Sequence, residues 1–261
     1  MVEKSKDVVV GLGEIGSPIL QLSSKITLVI GYDLNKKLMN EKEFKKYEKL
    51  ETRFLHICIP FTKNFVLNII KLCNQFEPKG VVIHSTISPG TTKNLQSKLS
   101  IPVIYSATRG VHKRMLHDLR RYTKFYSVEP NAPSADWASA EYEKLMKRSG
   151  VRTKKMSTPL TLELAKIVVD TSYYGWLINY AQISNMIAIQ NKVDYDEMWS
   201  FANEIHKYLG NRPKMFPGFI GGHCVIPNLD LMSNDTLGII REINSDYAKI
   251  LKKRQSKGKK Y

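Results

Sequence analysis

The chain has 261 residues, of which 43% are hydrophobic, so it can bury the core of one large or two smaller domains. No run of about 18 apolar residues could span a bilayer, and no signal peptide precedes the first strand-like run, so we expect a cytoplasmic protein. The formal net charge is +16, but no nucleic-acid-binding signature accompanies it, so we do not expect nucleic acid as a partner. A positive surface also attracts phosphorylated small molecules, and the charge alone does not decide between partners.

From Asp7 to about Val128, short β-branched runs alternate with helical stretches, which is typical of βαβ units and a mostly parallel sheet. Right-handed crossovers between parallel strands would place helices on both faces of this sheet. A further helix over 135–148 leads to an edge strand at 151–153. The other predicted strands are 8–10, 26–30, 53–59, 81–84, 102–105 and 125–128.

The pattern changes after Ser157, where strand signals almost disappear. Thr158 and Pro159 are a helix-start signal, and apolar residues continue at helical spacing through Ala188, with a break at 192–195. We therefore predict an α/β domain over 1–156, an all-helical domain built on one long helix over 157–251, and a basic disordered tail over 252–261. A surplus of aromatic residues predicts a homodimer interface on the long helix: Tyr173, Tyr174, Trp176 and Tyr180.

A glycine-rich turn, Gly11-Leu12-Gly13-Glu14-Ile15-Gly16, lies between the first strand and the first helix. The glycines permit a tight turn, close approach to a pyrophosphate and close helix packing, and the helix N-terminus offers free N–H groups to phosphates. Asp33 at the end of the second strand would accept hydrogen bonds from ribose hydroxyls and repel a 2′-phosphate, which favours NAD, although Lys36 and Lys37 leave NADP open. The sequence therefore predicts a Rossmann-type, NAD-binding domain. The predicted cofactor residues of the turn are Gly11, Gly13, Glu14, Ile15 and Gly16.

Four further motifs follow the turn in order, and their order and spacing resemble the UDP-glucose/GDP-mannose dehydrogenase family. The histidine beside the cysteine in the last motif resembles the UDP-N-acetylmannosamine dehydrogenase branch. The resemblance covers about Asp7 to Leu231, and it implies that Pro60, Ser85 and Thr86 also contact the cofactor. The motifs are Cys58-Ile59-Pro60, Ser85-Thr86-Ile87-Ser88-Pro89-Gly90-Thr91-Thr92, Glu163-Leu164-Ala165-Lys166 and Gly221-Gly222-His223-Cys224.

The family oxidises an alcohol carbon of a nucleotide-linked sugar twice, to the acid, with two NAD and without a metal. The resemblance implies that the thiolate of Cys224 attacks the intermediate aldehyde, a role that suits a strong nucleophile and good leaving group. It also implies that Lys166 stabilises the developing oxyanion and that Thr86 lies near the catalytic water.

The chain departs from the family pattern at several acid and base positions. Thr108 stands where the family has a glutamate implicated in thioester hydrolysis, Asp170 where it has an asparagine, and Asn228 where it has an aspartate. The family's second nucleotide-binding domain has no counterpart in these 261 residues. We therefore expect a substrate site that is smaller, shared with another subunit or completed by another protein.

Other interpretations of the same residues stay open. Lys166 could form a salt-bridged helix face with Glu163 and Asp170, Cys224 could be a small buried residue, and Thr86 could cap a turn. Two further functions also fit the sequence. One is a hydroxyacid dehydrogenase that performs a single oxidation with Lys166, and the other is an NAD-binding sensor or subunit without turnover.

Overall fold

The computed structural model describes residues 5–222, 224–232 and 234–256. The chain forms two compact units, which divide between Lys166 and Ile167. The predicted boundary at 156/157 lies earlier in the chain, ahead of a short helix that belongs to the first unit.

The first unit is built around a seven-stranded sheet. Its strands are β1 (Ser5–Val10), β2 (Val29–Tyr32), β3 (Glu51–Ile57), β4 (Gly80–Ile83), β5 (Val103–Tyr105), β6 (Lys124–Val128) and β7 (Thr153–Lys155). The order across the sheet is β2-β1-β3-β4-β5-β6-β7, and all neighbours are parallel except β5 and β6. The predicted Rossmann-type α/β fold is confirmed.

Successive residues of each strand point to opposite faces, and both faces are covered. Val9 belongs to a core cluster on one face, whereas Val8 and Val10 belong to a cluster on the other. Helices α1, α5 and α6 contribute to the first cluster, and α3, α4 and α7 to the second. The helices of this unit are α1 (Gly16–Ser23), α2 (Glu41–Tyr47), α3 (Phe65–Phe76), α4 (Thr91–Gln96), α5 (Met115–Arg121), α6 (Ala135–Arg148) and α7 (Pro159–Leu164).

The predicted long helix is present, but it is not α-helical throughout. A π-helical segment, Ala165–Ser172, follows α7 and continues into α8 (Tyr173–Asn191). The predicted break also occurs, because Lys192 ends α8 with a φ of +58° and Asp194 caps the next helix by accepting a hydrogen bond from an amide of its first turn. Helices α9 (Tyr195–Leu209), α10 (Val225–Leu229) and α11 (Asp235–Ser256) complete the second unit.

Helix α11 corrects the predicted basic tail, because it runs to Ser256 and thus includes 252–256. Lysine and arginine are good helix formers and interact favourably with the C-terminal end of a helix dipole, so a basic run can extend a helix. Residues 257–261 of the predicted tail lie outside the described residues. Within the described ranges, no helix is both long and apolar enough to cross a membrane.

Candidate active site

The glycine turn joins β1 to α1 at the edge of the sheet where the parallel strands end. Gly11 has a φ of +86°, and a Cβ on it would lie 2.9 Å from the carbonyl oxygen of Cys58. A Cβ on Gly16 would lie 1.6 Å from the carbonyl oxygen of Gly11, so the packing of α1 requires glycine at both positions. A Cβ on Gly13 would meet no protein atom within 4 Å. The open space at Gly13 is available to a ligand that approaches the backbone closely.

Asp33 follows β2 directly and contacts this turn. Its Oδ2 accepts a hydrogen bond from the Leu12 amide at 2.6 Å, and its Oδ1 accepts one from the Asn35 amide at 2.8 Å. Each carboxylate oxygen can accept a second bond, so the ribose hydroxyls of a dinucleotide remain acceptable partners. The residue before α1 is Ile15, whose side chain cannot cap the helix, and the first N–H groups of α1 are therefore suited to phosphate. These residues fit NAD.

The other predicted cofactor residues lie near the same edge. Glu14 is exposed and contacts the imidazole of His112. The Ser85 hydroxyl donates to a main-chain carbonyl just beyond β3 at 2.6 Å, which ties the ends of β3 and β4 together. Pro60 is exposed after β3, and Thr86 is half-buried after β4.

Glu163 fixes α7 against the turn that precedes α4. Its side chain is fully buried, and its carboxylate accepts hydrogen bonds from the Gly90 amide at 2.6 Å and the Thr92 amide at 2.9 Å. Glu163 is therefore a buried residue that holds this turn, and a salt-bridged face with Lys166 and Asp170 stays a prediction. Lys166, three residues later, is half-buried and lies in the π-helical segment, a local geometry that is frequent at functional sites.

A buried lysine that the motifs did not reveal lies at this edge as well. Because β6 is antiparallel to β5, the start of β6 at Lys124 lies beside the end of β5. Lys124 is 5% exposed, and its Nζ contacts the carbonyl oxygen of Ser106 at 2.9 Å and Oγ1 of Thr108 at 3.2 Å. Burial lowers the pKa of Lys124 to about 7, and the positive charges of Arg109 and Lys166 contribute to the decrease. The sequence signal is a lysine at the head of an otherwise apolar strand.

In the second unit, two buried amide side chains hold the main chain that leads to the cysteine loop. Asn244 of α11 bonds both main-chain groups of Ile220: its Oδ1 accepts from the amide at 2.8 Å, and its Nδ2 donates to the carbonyl at 3.0 Å. Gln182 of α8 donates to the Gly218 carbonyl at 2.7 Å and to Oδ1 of Asn244 at 3.0 Å. We call Asn244 and Gln182 the amide clamp. The sequence signal is polar amide residues at core positions of two helices.

The cysteine loop itself presents its thiol to solvent. Cys224 is exposed at the start of α10, whereas Val225 and Leu229 of α10 are buried against Ile240. The alternative of a small buried Cys224 is therefore wrong. Asn228 is half-buried on α10. His223 lies outside the described residues.

The candidate residues divide between the two units. The cofactor residues, Thr86, Thr108 and Lys166 belong to the first, and Asp170, Cys224 and Asn228 belong to the second. Asp170 is half-buried in the π-helical segment. Among the described residues, no group of three histidine, cysteine or acidic side chains could hold a metal ion.

The aromatic residues of α8 differ in their surroundings. Tyr173, Tyr174 and Tyr180 are 57%, 50% and 62% exposed, as an interface would require. Trp176 is half-buried instead and packs against the core cluster of its own unit. Trp176 is therefore less available to an interface than the three tyrosines.

The sequence matches no protein-family model and no curated protein sequence. The fold is similar to that of UDP-D-ManNAc dehydrogenase from Pyrococcus horikoshii, with a TM-score of 0.77, 21% identity and coverage of 97% of this chain and 72% of that one. The fold is also similar to that of a UDP-N-acetyl-mannosamine dehydrogenase from Staphylococcus aureus, with a TM-score of 0.69, 20% identity and coverage of 97% of this chain and 70% of that one. For a 3-hydroxyisobutyrate dehydrogenase from Mycobacterium tuberculosis, the TM-score is 0.68, the identity is 12%, and the alignment covers 95% of this chain and 94% of that one. These TM-scores establish a shared fold, which is the fold that the motifs predicted.

Proposed function

We propose that this protein is an NAD-dependent oxidoreductase that acts on a CH–OH group of a phosphorylated or nucleotide-linked sugar. The observation that carries the proposal is the glycine turn, where open space at Gly13, the N-terminus of α1 and the carboxylate of Asp33 suit a dinucleotide. NAD, when bound, supplies the hydride acceptor. The nucleotide-sugar dehydrogenases named above have the same fold and support the choice of substrate class.

We assign the covalent chemistry to Cys224. After the first oxidation its thiolate adds to the aldehyde carbon and gives a thiohemiacetal. Loss of a hydride, for which a second NAD would be the acceptor, and of the hydroxyl proton to solvent converts this adduct to a thioester, and water then releases the acid and the free thiol. Lys166 stabilises the oxygen charge during addition, and Thr86 holds the water. Solvent exposure of Cys224 supports this assignment, because a nucleophile must be accessible.

A single oxidation of a hydroxyacid is the second candidate function. The match to 3-hydroxyisobutyrate dehydrogenase favours it, because the shared fold covers 95% of this chain and 94% of that one. In this mechanism Lys166 assists the proton transfer and Cys224 takes no part.

One experiment separates these functions. Purified protein is incubated with NAD and a panel of UDP-sugars, GDP-sugars and short hydroxyacids, and NADH is counted per substrate consumed. Two NADH per sugar, reduced to one or none in Cys224→Ala but not in Cys73→Ala, supports the covalent mechanism. One NADH per hydroxyacid in both variants supports the second candidate. NAD binding without any NADH would contradict both and favour a sensor or subunit.

We further propose that the protein is a homodimer that associates through α8. The exposed rings of Tyr173, Tyr174 and Tyr180 support this proposal, because aromatic side chains exposed in this number are typical of an interface.

A further inference from the structure

Lys124 reaches the end of the sheet that carries the candidate cofactor residues. The Thr108 amide donates to the carbonyl of His84 at 3.1 Å, so Thr108 lies beside the end of β4, next to Ser85 and Thr86. Nζ of Lys124 lies 3.2 Å from Oγ1 of Thr108. Thr108 therefore contacts the buried amine through its hydroxyl and the end of β4 through its main chain.

A neutral amine at Nζ can satisfy all three of its partners, as an ammonium can. Two of them are the main-chain carbonyls of Ser106 at 2.9 Å and Ala107 at 3.5 Å, which can only accept. The third is the Thr108 hydroxyl, which can donate. A neutral amine has two N–H bonds for the carbonyls and one lone pair for the hydroxyl, so each group finds a suitable partner.

The charges around Lys124 favour the neutral amine over the ammonium form. The ionisable groups that face it are Cys58 after β3, His84 after β4, Arg109 after β5 and Lys166. Cys58 is half-buried, and desolvation raises the pKa of its thiol to about 12, so it supplies no negative charge near neutral pH. Arg109 and Lys166 are cationic and oppose a second positive charge.

We propose that Lys124 accepts the proton of the substrate hydroxyl during alcohol oxidation, through the Thr108 hydroxyl. The inference rests on the dehydrogenase function proposed above. Oγ1 of Thr108 takes the proton from the alcohol as its own proton passes to the lone pair on Nζ, and the carbon loses its hydride to NAD. The products are the carbonyl compound, NADH and the ammonium form of Lys124.

The proposal gives the two lysines of this unit different tasks. Lys124 is buried and accepts a proton, whereas the half-buried Lys166 supplies the positive charge that stabilises the substrate oxygen. The same positive charge helps to keep Lys124 neutral before the reaction.

The test begins with a direct titration of Lys124 in protein labelled with ¹³C at the lysine ε-carbons. Lys124→Arg and Lys124→Met identify its resonance, and the exposed Lys155 is the internal control. We expect a midpoint near 7 for Lys124, lower with bound NAD⁺ than with bound NADH, because the oxidised nicotinamide ring carries a positive charge. A midpoint near about 10.4, the value of an unperturbed lysine, or equal midpoints with the two cofactor forms, would overturn the proposal.

Kinetics then separate a proton acceptor from a structural lysine. With an active substrate, wild type should show a kcat that rises with pH around 7, whereas Lys124→Arg and Thr108→Val should lose this dependence and about 100-fold or more of kcat. Lys155→Arg should match wild type. An unchanged pH profile in both variants would refute the proton role. If wild type produces no NADH from any substrate, the dehydrogenase function fails, whereas the titration still decides whether Lys124 senses the cofactor charge.

Discussion

Asn244→Ala should destabilise the second unit and release the main chain ahead of the cysteine loop. Asn244 is 5% exposed and makes three hydrogen bonds, two with Ile220 and one with Gln182. Truncation leaves the Ile220 amide and carbonyl without these partners in a buried environment. At about 1 to 1.5 kcal/mol for each lost bond, the free energy of unfolding should fall by about 3 kcal/mol.

Urea unfolding followed by circular dichroism measures this loss. Asn191→Ala is the matched control, because Asn191 also donates to a main-chain carbonyl, at 2.9 Å, but on an exposed surface. Its cost should stay within about 0.5 kcal/mol. Limited proteolysis should cut 215–222 faster in Asn244→Ala, and kcat should fall while the Kd for NAD stays unchanged, because the cofactor residues lie in the first unit. Equal costs for the two variants would refute the role of the amide clamp.

Four other changes test the remaining assignments. Asp33→Ala should weaken NAD binding about tenfold or more and reduce the preference over NADP, measured by calorimetric titration; an unchanged Kd would contradict the cofactor site. Cys224→Ala should stop the reaction at one NADH with an unchanged Tm, and mass spectrometry should show a covalent adduct on Cys224 in wild type, since Thr108 replaces the expected glutamate. Tyr180→Asp should lower the mass in light scattering, and a monomeric wild type would contradict the dimer. Because the folded pKa of Lys124 is about 7 and its unfolded pKa about 10.4, the unfolded chain binds more protons between these values. Wild-type stability should therefore rise there by up to about 1.4 kcal/mol per pH unit, and Lys124→Met should lack this rise in urea titrations at pH 7 and 9.

The sequence was sufficient to predict the parallel part of the sheet, because buried strands are continuous β-branched runs. Helix α6 begins and ends where its amphipathic pattern does. The pattern did not reveal α5 or the reversed direction of β6. A two-residue period is the same in either direction along a strand, and α5 is a short helix with many charged residues.

For the candidate site as well, the sequence predicts local motifs but not the contacts between residues that are distant in the chain. The glycine turn and the cysteine loop are local motifs, and a single stretch of sequence predicts them. Lys124 and its partner Thr108 are 16 residues apart, and Gln182 and Asn244 are 62 residues apart. Each of these side chains acquires its partners only when the strands or helices pack, and no local pattern encodes that contact. The exposure of Cys224 and the partial burial of Trp176 likewise depend on tertiary packing.

The outermost strand of the sheet has a consequence for how copies of this protein behave at high concentration. Strand β7 has three residues, and Lys154 and Lys155 are both exposed. A strand this short offers few unpaired main-chain groups, and its lysines repel an identical strand, so sheets cannot extend from one molecule to the next at this edge. The protein is therefore protected there against β-aggregation.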